Sequence, residues 1–334
     1  MLVLSCPDAL VSSPSSAAWD RNVFSFDGSD FVEQEVKFNN DPESDISVQY
    51  SPRGIESVGL AGVLDSVDVS NAVPLQNGTG GVYGLCDFNG ETRAIFKPAD
   101  EENSTTNGDG YLKEYAAFVL DNGLAGVPET DIAVVKAGKR RQIGSVQRFV
   151  ENSEDAENFG SGVFTVDDVH RIGVLDIRIL NCDRHSGNMM RGIKSGKLVP
   201  IDHGTSFPNA CNLNELSKVS LEWLMYPQAK KPFSAELLQE IQDINIEDNL
   251  DTLAAIGLDE GVQISVWMST TLLKIGAKHG KTLYEIGSLI QRKGDRSEMS
   301  DLESLLVKAS EASVAKDGSD FFTLFYNFAT ELLK

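Results

Sequence analysis

The sequence predicts an α+β fold, β-rich in its first half and helical in its second. Three observations carry this: alternating stretches on either side of Asn89-Gly90, a nearly all-apolar segment between residues 165 and 182, and helix-cap signals beyond residue 234. The first 70 residues are rich in Ser, Asp and Asn, with 12 acids against 3 bases. They are expected to be an acidic extension, partly disordered or draped on the rest. Val82 to Phe88 and Thr92 to Lys97 then alternate about Asn89-Gly90, the signature of a two-residue hairpin turn. A polar loop from Asp100 to Gly110 follows.

Leu112 to Asn122 reads as a helix with Leu112, Tyr115, Ala116, Val119 and Leu120 on its apolar face, ended by Gly123 and Gly126. Ile132 to Val135 and Ile143 to Val150 are strand-like, and an acidic loop through Glu151, Glu154, Asp155 and Glu157 comes next. Thr165 or Asp167 caps a helix expected to run to about Cys182. It carries Val169, Ile172, Val174, Leu175, Ile177 and Leu180 nearly all round, so it should be buried. Met189 to Ile193 and Lys197 to Ile201 form a second hairpin. Beyond residue 234 the pattern is helical, with candidate capping boxes at Thr282/Glu285 and Ser300/Glu303.

The chain of 334 residues has a net charge of −21. Binding to nucleic acid through a general basic surface is excluded, and an anionic bilayer should repel it, leaving at most peripheral membrane contact. The cysteines Cys6, Cys86, Cys182 and Cys211 form no C-x-x-C pair, which argues against structural zinc and for reduced thiols. Met1 to Leu4 is apolar, but Pro7 and Asp8 follow at once, so it is not read as a signal peptide. A cytoplasmic protein is expected.

Two motifs lie at the join between the halves: Asp183-Arg184-His185-Ser186-Gly187-Asn188 and Ile201-Asp202-His203-Gly204. An Asp, an Asn five residues on, and a second Asp beside a Gly are how phosphoryl-transfer enzymes place a base and two metal ligands. Asp183 is the candidate base, and Asn188 and Asp202 are the candidate oxygen ligands for Mg²⁺. His185 could move protons or touch phosphate, or serve as scaffold; for His203 the scaffold role is the better reading. Upstream, Gly78, Gly80 and Gly81 precede a strand, where backbone amides can approach phosphate oxygens. Taken alone such a run is more often a flexible turn. Lys97 ends the strand Ala94-Ile95-Phe96-Lys97, placed to reach the α- and β-phosphates of ATP. Glu114 is its natural carboxylate partner, although first-turn pairing with the helix dipole explains Glu114 nearly as well.

In combination, Ile95 to Glu102, Gly126-Val127-Pro128, Val174 to Arg178, Asp183 to Asn188 and Pro200 to Gly204 resemble the phosphatidylinositol 3-/4-kinase catalytic superfamily, above all the type II and plant-type gamma phosphatidylinositol 4-kinases. The resemblance runs from about residue 75 to 230. It implies a two-lobed atypical kinase fold, with an N-lobe over 71–150 and a helical C-lobe over 151–334. It also implies ATP and Mg²⁺ as cofactors, and an adenine site on backbone groups of Gln147, Arg148, Phe149 and Val150. The acceptor it implies is phosphatidylinositol. The cysteine-rich palmitoylation segment of type II enzymes is missing, and only Lys218, Lys230 and Lys231 offer a basic patch to a headgroup. A protein Ser/Thr kinase on the same fold, or a nucleotide-binding pseudokinase, therefore stands as the alternative. Trp223 to Tyr226 are read either as a bilayer contact or as core.

Overall fold

The computed structural model describes residues 48–50, 60, 64, 67–75, 81–102, 108–137, 140–315 and 320–334. Six antiparallel strands build the first sheet: β1 (Val48–Tyr50), β2 (Val67–Pro74), β3 (Tyr83–Asp87), β4 (Thr92–Pro98), β5 (Thr130–Ala137) and β6 (Arg140–Arg148), in the order β1-β5-β6-β4-β3-β2. The sheet thus reaches back before residue 70, and the boundary expected there falls inside β2. Most of the expected acidic extension lies outside the described residues.

The turn between β3 and β4 corrects one expectation. The Asp87 and Glu91 backbones pair across Phe88, Asn89 and Gly90, with Gly90 at φ 81°. This is a three-residue loop with glycine in the left-handed position, not a two-residue turn. The Asp87 carboxylate stabilises it by accepting the amides of Asn89 and Glu91. Alternation places Leu85, Ala94, Phe96, Ala133, Val135 and Val146 on one face, where they form a small core with Leu60, Leu64 and Val67.

Helix α1 (Gly110–Asp121) packs beside β5 and β6. Its buried face differs from the one periodicity suggests. Lys113, Glu114 and Asp121 are buried with Ala116, Ala117 and Leu120, whereas Leu112, Tyr115 and Val119 are only half-buried. Polar groups turn inward because partners wait for them: Asp121, for instance, accepts the amides of Ala125, Gly126 and Val127 after the helix turns at Asn122.

The acidic stretch expected as loop contains β7 (Ser153–Asp155), which joins β8 (Met189–Gly192) and β9 (Leu198–Pro200) in a three-stranded sheet. Helix α2 (Val166–Arg178) starts at Thr165, whose hydroxyl accepts the Asp168 amide at 3.0 Å. It stops four residues short of Cys182, since Leu180 swings to φ 47° and the Asn181 amide returns to the Asp176 carbonyl. It is buried on nearly every side. Gly173 is needed there because a Cβ would sit 2.4 Å from Leu283.

The rest is helical: α3 (Leu213–Leu216), α4 (Ala235–Asp243), α5 (Ile246–Ile256), α6 (Glu260–Lys278), α7 (Leu283–Ile290), α8 (Asp301–Ala315) and α9 (Phe321–Leu333). Both capping boxes form, Thr282 with Glu285 and Ser300 with Glu303. Their large apolar core continues through α1 and α2. Among the described residues no helix is long and apolar enough to cross a membrane. Cys86 and Cys182 are free, but Cys211 is disulfide-bonded, so reduced thiols throughout is not the outcome.

Candidate active site

The site forms where the large sheet, α1 and the loops around β8 and β9 meet. Strand β4 delivers Lys97, whose ammonium lies 2.5 Å from Glu114 Oε1 on α1 and 2.9 Å from Asp202 Oδ1. Burial pulls the lysine pKa down, but the charges of Asp202 and Glu114 outweigh it and hold the group above its ordinary value. Burial likewise raises Glu114, and the Lys97 charge with a hydrogen bond from His203 overcomes it, leaving Glu114 well below the usual carboxylate range. Separately from the His203 side chain, the His203 backbone amide donates to Glu114 Oε2 at 3.1 Å. His203 itself is fully buried, with Nδ1 3.6 Å from Glu114.

Glu114 is anchored at a helix whose first amides are also tied down. Glu102 accepts the amides of Gly110 and Tyr111 at 2.9 and 2.7 Å. This satisfies donors that every helix start leaves open.

Asp202 is different in kind. Its side chain is 51% exposed and its φ is 58°, a left-handed conformation that a residue with a Cβ rarely adopts. Such strain persists only where surrounding contacts enforce it. Here those contacts begin one residue earlier, at Ile201: its amide donates to the Asn188 carbonyl at 3.0 Å, and its carbonyl accepts Arg184 Nη1 at 3.0 Å.

Arg184 is the hub of this arrangement. It is 1% exposed. Its Nε donates to both Asp176 oxygens at 3.1 and 3.0 Å, and its Nη1 donates to the carbonyls of Asn188 and Ile201. Asp176 also accepts Asn181 Nδ2 and Trp223 Nε1, each at 3.0 Å. One buried ion pair therefore locks α2, the Asp183–Asn188 loop and the Asp202 loop together. Sequence reading assigned no role to Asp176 or Arg184, and left Trp223 between bilayer contact and core. The available signal was a carboxylate in a helix otherwise apolar all round, because a buried charge needs a partner. Trp223 and Tyr226 are core, and only Met225 of that stretch is fully exposed.

Asp183 sits at the mouth, 57% exposed, its amide held by Asn181 Oδ1 at 2.9 Å. Burial raises its pKa, and the nearby Asp202 charge adds to that, against His185 and Arg184. His185 Nε2 is 3.9 Å from Asp183 Oδ2, while its Nδ1 accepts the Gly187 amide. Asn188 donates its side-chain amide to the Asp183 carbonyl at 2.9 Å, leaving Oδ1 as an acceptor.

Gly78 and Gly80 lie outside the described residues. The Gly81 amide donates to the Glu101 carbonyl at 3.2 Å. Gln147 is buried and bonded to Thr130, and the amides of Arg148 and Phe149 donate to the carbonyls of Glu129 and Arg93. The Val150 carbonyl accepts the Ser153 hydroxyl. The amides of Arg148 and Phe149 are thus already engaged by neighbouring backbone.

Among the described residues no group of three or more His, Cys, Asp and Glu could hold a metal. Asn188 Oδ1 and the Asp202 carboxylate are oxygen donors of the kind that Mg²⁺ takes. That ion takes oxygen donors, needs only one or two protein carboxylates, and completes its shell with water and phosphate.

A β-rich lobe and a helical lobe, meeting at a lysine–carboxylate cluster, define the lipid-kinase-like class of α+β fold. Residues 99–274 match the family model described as phosphatidylinositol 3- and 4-kinase, more than half of the chain, and the chain belongs to that family. It is 35% identical over 291 residues to phosphatidylinositol 4-kinase gamma 4 of Arabidopsis thaliana, covering 73% of this chain and 50% of that protein. It is 34% identical to phosphatidylinositol 4-kinase gamma 4 of Oryza sativa subsp. japonica, with coverage of 73% and 49%. Phosphatidylinositol 4-kinase gamma 1 of Arabidopsis thaliana is 32% identical, with coverage of 83% and 59%. The chain spans about half the length of the curated relatives it matches. Among solved structures, the Helicobacter pylori proinflammatory kinase CtkA aligns at 16% identity and a TM-score of 0.31, over 80% of this chain and 96% of that one.

Proposed function

We propose that the chain is a Mg²⁺-dependent kinase that transfers the terminal phosphoryl group of ATP to a hydroxyl of phosphatidylinositol. The observation that carries this is Lys97 bridging Glu114 and Asp202. A strand-end lysine, a helix carboxylate and an exposed carboxylate in one cluster are the parts that phosphate binding requires.

Lys97 would bind the α- and β-phosphates, kept charged and oriented by Glu114. Asn188 and Asp202 would hold the metal, which when bound neutralises charge developing on the transferred phosphoryl group. Asp183 would take the proton of the attacking hydroxyl, and its raised pKa suits a base better than an ordinary aspartate would. Arg184 would touch none of the reacting atoms. It keeps the Asp183–Asn188 loop and the Asp202 loop at fixed separation.

A protein acceptor is the second reading. The net charge of −21 favours it, and so does the thin patch of Lys218, Lys230 and Lys231, in which Lys230 lies 4.9 Å over the Tyr284 ring. The deciding experiment offers radiolabelled ATP in parallel to phosphatidylinositol vesicles and to a general protein substrate. Label in the lipid supports the first reading, label in protein alone the second. A thermal-shift titration with MgATP, in wild type and Lys97→Ala, tests the nucleotide site beneath both. No shift across millimolar nucleotide in wild type would remove that site.

A further inference from the structure

Beside the Asp183 loop the molecule carries a face whose charge opposes that of the whole chain. Residues 218–231 and 281–296 hold seven bases against three acids, in a protein of net charge −21. The two stretches run side by side. At one end Arg296 donates to the Ser220 hydroxyl at 3.2 Å, and Gln291 Oε1 accepts the Leu221 amide at 2.6 Å. In the middle a Cβ on Gly287 would sit 2.6 Å from the Trp223 ring and 3.0 Å from Leu224. At the other end the Lys230 ammonium lies 4.9 Å over the Tyr284 ring. The patch of Lys218, Lys230 and Lys231, thin along the chain, is thus widened by a second row of bases on either side of α7.

The charge left free on this face is positive. Among the described residues Lys218, Lys230, Lys231, Lys281 and Arg296 make no ion pair, and all but Lys281 are exposed. The three acids are drawn back to local donors. Glu222 accepts the Ser186 amide and the Tyr226 hydroxyl. Glu285 accepts the amide and hydroxyl of Thr282, and Asp295 those of Ser297.

Between the two basic ends Met225 is 84% exposed, while Trp223 and Tyr226 beside it are buried. One exposed apolar side chain means little by itself. Flanked by unpaired cations, it has the composition of a membrane-surface contact. Each cation near an anionic leaflet is attracted to it, and charges beyond a Debye length of about 8 Å are largely screened. The acidity of the rest of the chain therefore does not cancel this face. A bilayer interface takes up both the cations and Met225, whereas an acidic polypeptide pairs with the cations alone.

The face also adjoins the catalytic loop. The Ser220 amide donates to the Asn181 carbonyl, and the Ser220 carbonyl accepts the Arg184 amide, each at 3.0 Å. We propose that this face docks on the surface of an anionic lipid bilayer, with Met225 entering the interface and the bases along both stretches meeting lipid phosphates. That docking would present the Asp183 mouth to a lipid acceptor rests on the kinase reading; the docking itself does not.

The test is co-sedimentation of the full chain with phosphatidylcholine vesicles, with and without phosphatidylserine, which is anionic and no acceptor in the proposed reaction. Binding is expected to be about tenfold or more tighter with phosphatidylserine and to weaken as salt rises. Lys230→Glu with Arg296→Glu should weaken it by about tenfold or more, and Met225→Ser by about threefold. Lys194→Glu with Lys197→Glu, the same charge change at the β8–β9 turn, should leave it within about twofold. The proposal is overturned if phosphatidylserine adds no binding, if the β8–β9 pair weakens it as much as the Lys230 and Arg296 pair, or if Met225→Ser changes nothing. Binding of polyglutamate without binding of vesicles also overturns it and gives the face to an acidic polypeptide. Should the Lys230 and Arg296 pair fail to fold, Lys231→Glu with Lys293→Glu takes its place under the same criteria. No ATP is present, so vesicle binding without phosphoryl transfer would sink the kinase reading alone. Phosphorylation of soluble short-chain phosphatidylinositol without vesicle binding would sink the docking face alone.

Discussion

Two ion-pair clusters lie at the heart of the molecule, and they are built on opposite plans. Asp176 and Arg184 are both 0% exposed at the side chain, and the aspartate has two further donors, Asn181 and Trp223. The Lys97 cluster has one buried carboxylate, Glu114 at 3%, and one open carboxylate, Asp202 at 51%. A buried pair in which every carboxylate oxygen is used holds elements in place. An ion pair with a solvent-exposed partner contributes little to stability and can exchange that partner. The first cluster is therefore scaffold, and the second is fixed on the Glu114 side and replaceable on the Asp202 side.

The largest effect expected from this contrast is on turnover with little change in stability. Asp202→Ala should lower the rate by on the order of 10³ or more, yet cost under about 1 kcal/mol of stability. Kinase assays paired with chemical denaturation check both halves. A variant that keeps near-wild-type turnover moves the metal ligand elsewhere, and one that unfolds makes Asp202 scaffold after all.

Asp183→Asn should lower turnover by about 10²–10⁴-fold while nucleotide affinity holds. A group acting as a base must be deprotonated, and the raised pKa of Asp183 moves that requirement upward. The acidic limb of the rate profile should therefore have its midpoint above the ordinary aspartate value of 3.8. A midpoint at or below that value, or a collapse of ATP affinity in the variant, sinks the role of base.

For the buried cluster the order inverts. Asp176→Ala leaves Arg184 charged and unpaired in the interior and should cost about 3–5 kcal/mol. Urea unfolding measures it. A loss under about 1 kcal/mol would erase the distinction between the two clusters.

The same distinction explains what the sequence could tell. Lys97, Asp183, Asn188 and Asp202 stand out because their residue types and spacing are chemically constrained, and the structure brings Lys97 against Glu114 and Asp202 across 17 and 105 residues. Helices α2 and α7 and both capping boxes follow from periodicity and local hydrogen bonding. What periodicity hides is polar burial. It assigns the apolar residues of α1 to the core, whereas Lys113, Glu114 and Asp121 also turn inward. It is silent on Arg184, whose partners are two backbone carbonyls and a carboxylate eight residues back. It cannot reveal the left-handed backbone of Asp202, because that conformation is imposed by tertiary contacts at Ile201. The Asn89-Gly90 pair marks a hairpin correctly but not its loop length, which the Asp87 side chain helps to set.

The smallest effect concerns acid. Glu114 is buried, and its pKa lies below the ordinary glutamate value of 4.5 because Lys97 and His203 favour its charged form. The unfolded chain therefore takes up this proton at a higher pH than the folded one. Stability from this group is fully present above about pH 4.5 and falls as pH drops through and below it. One proton contributes a slope of at most about 1.4 kcal/mol per pH unit. Denaturation between pH 3 and 6 should show this slope in wild type and a shallower one in Glu114→Gln. Equal slopes would mean that Glu114 is not the fixed member of the cluster, and the division between a held side and an exchangeable side would have to be redrawn around Lys97 and Asp202 alone.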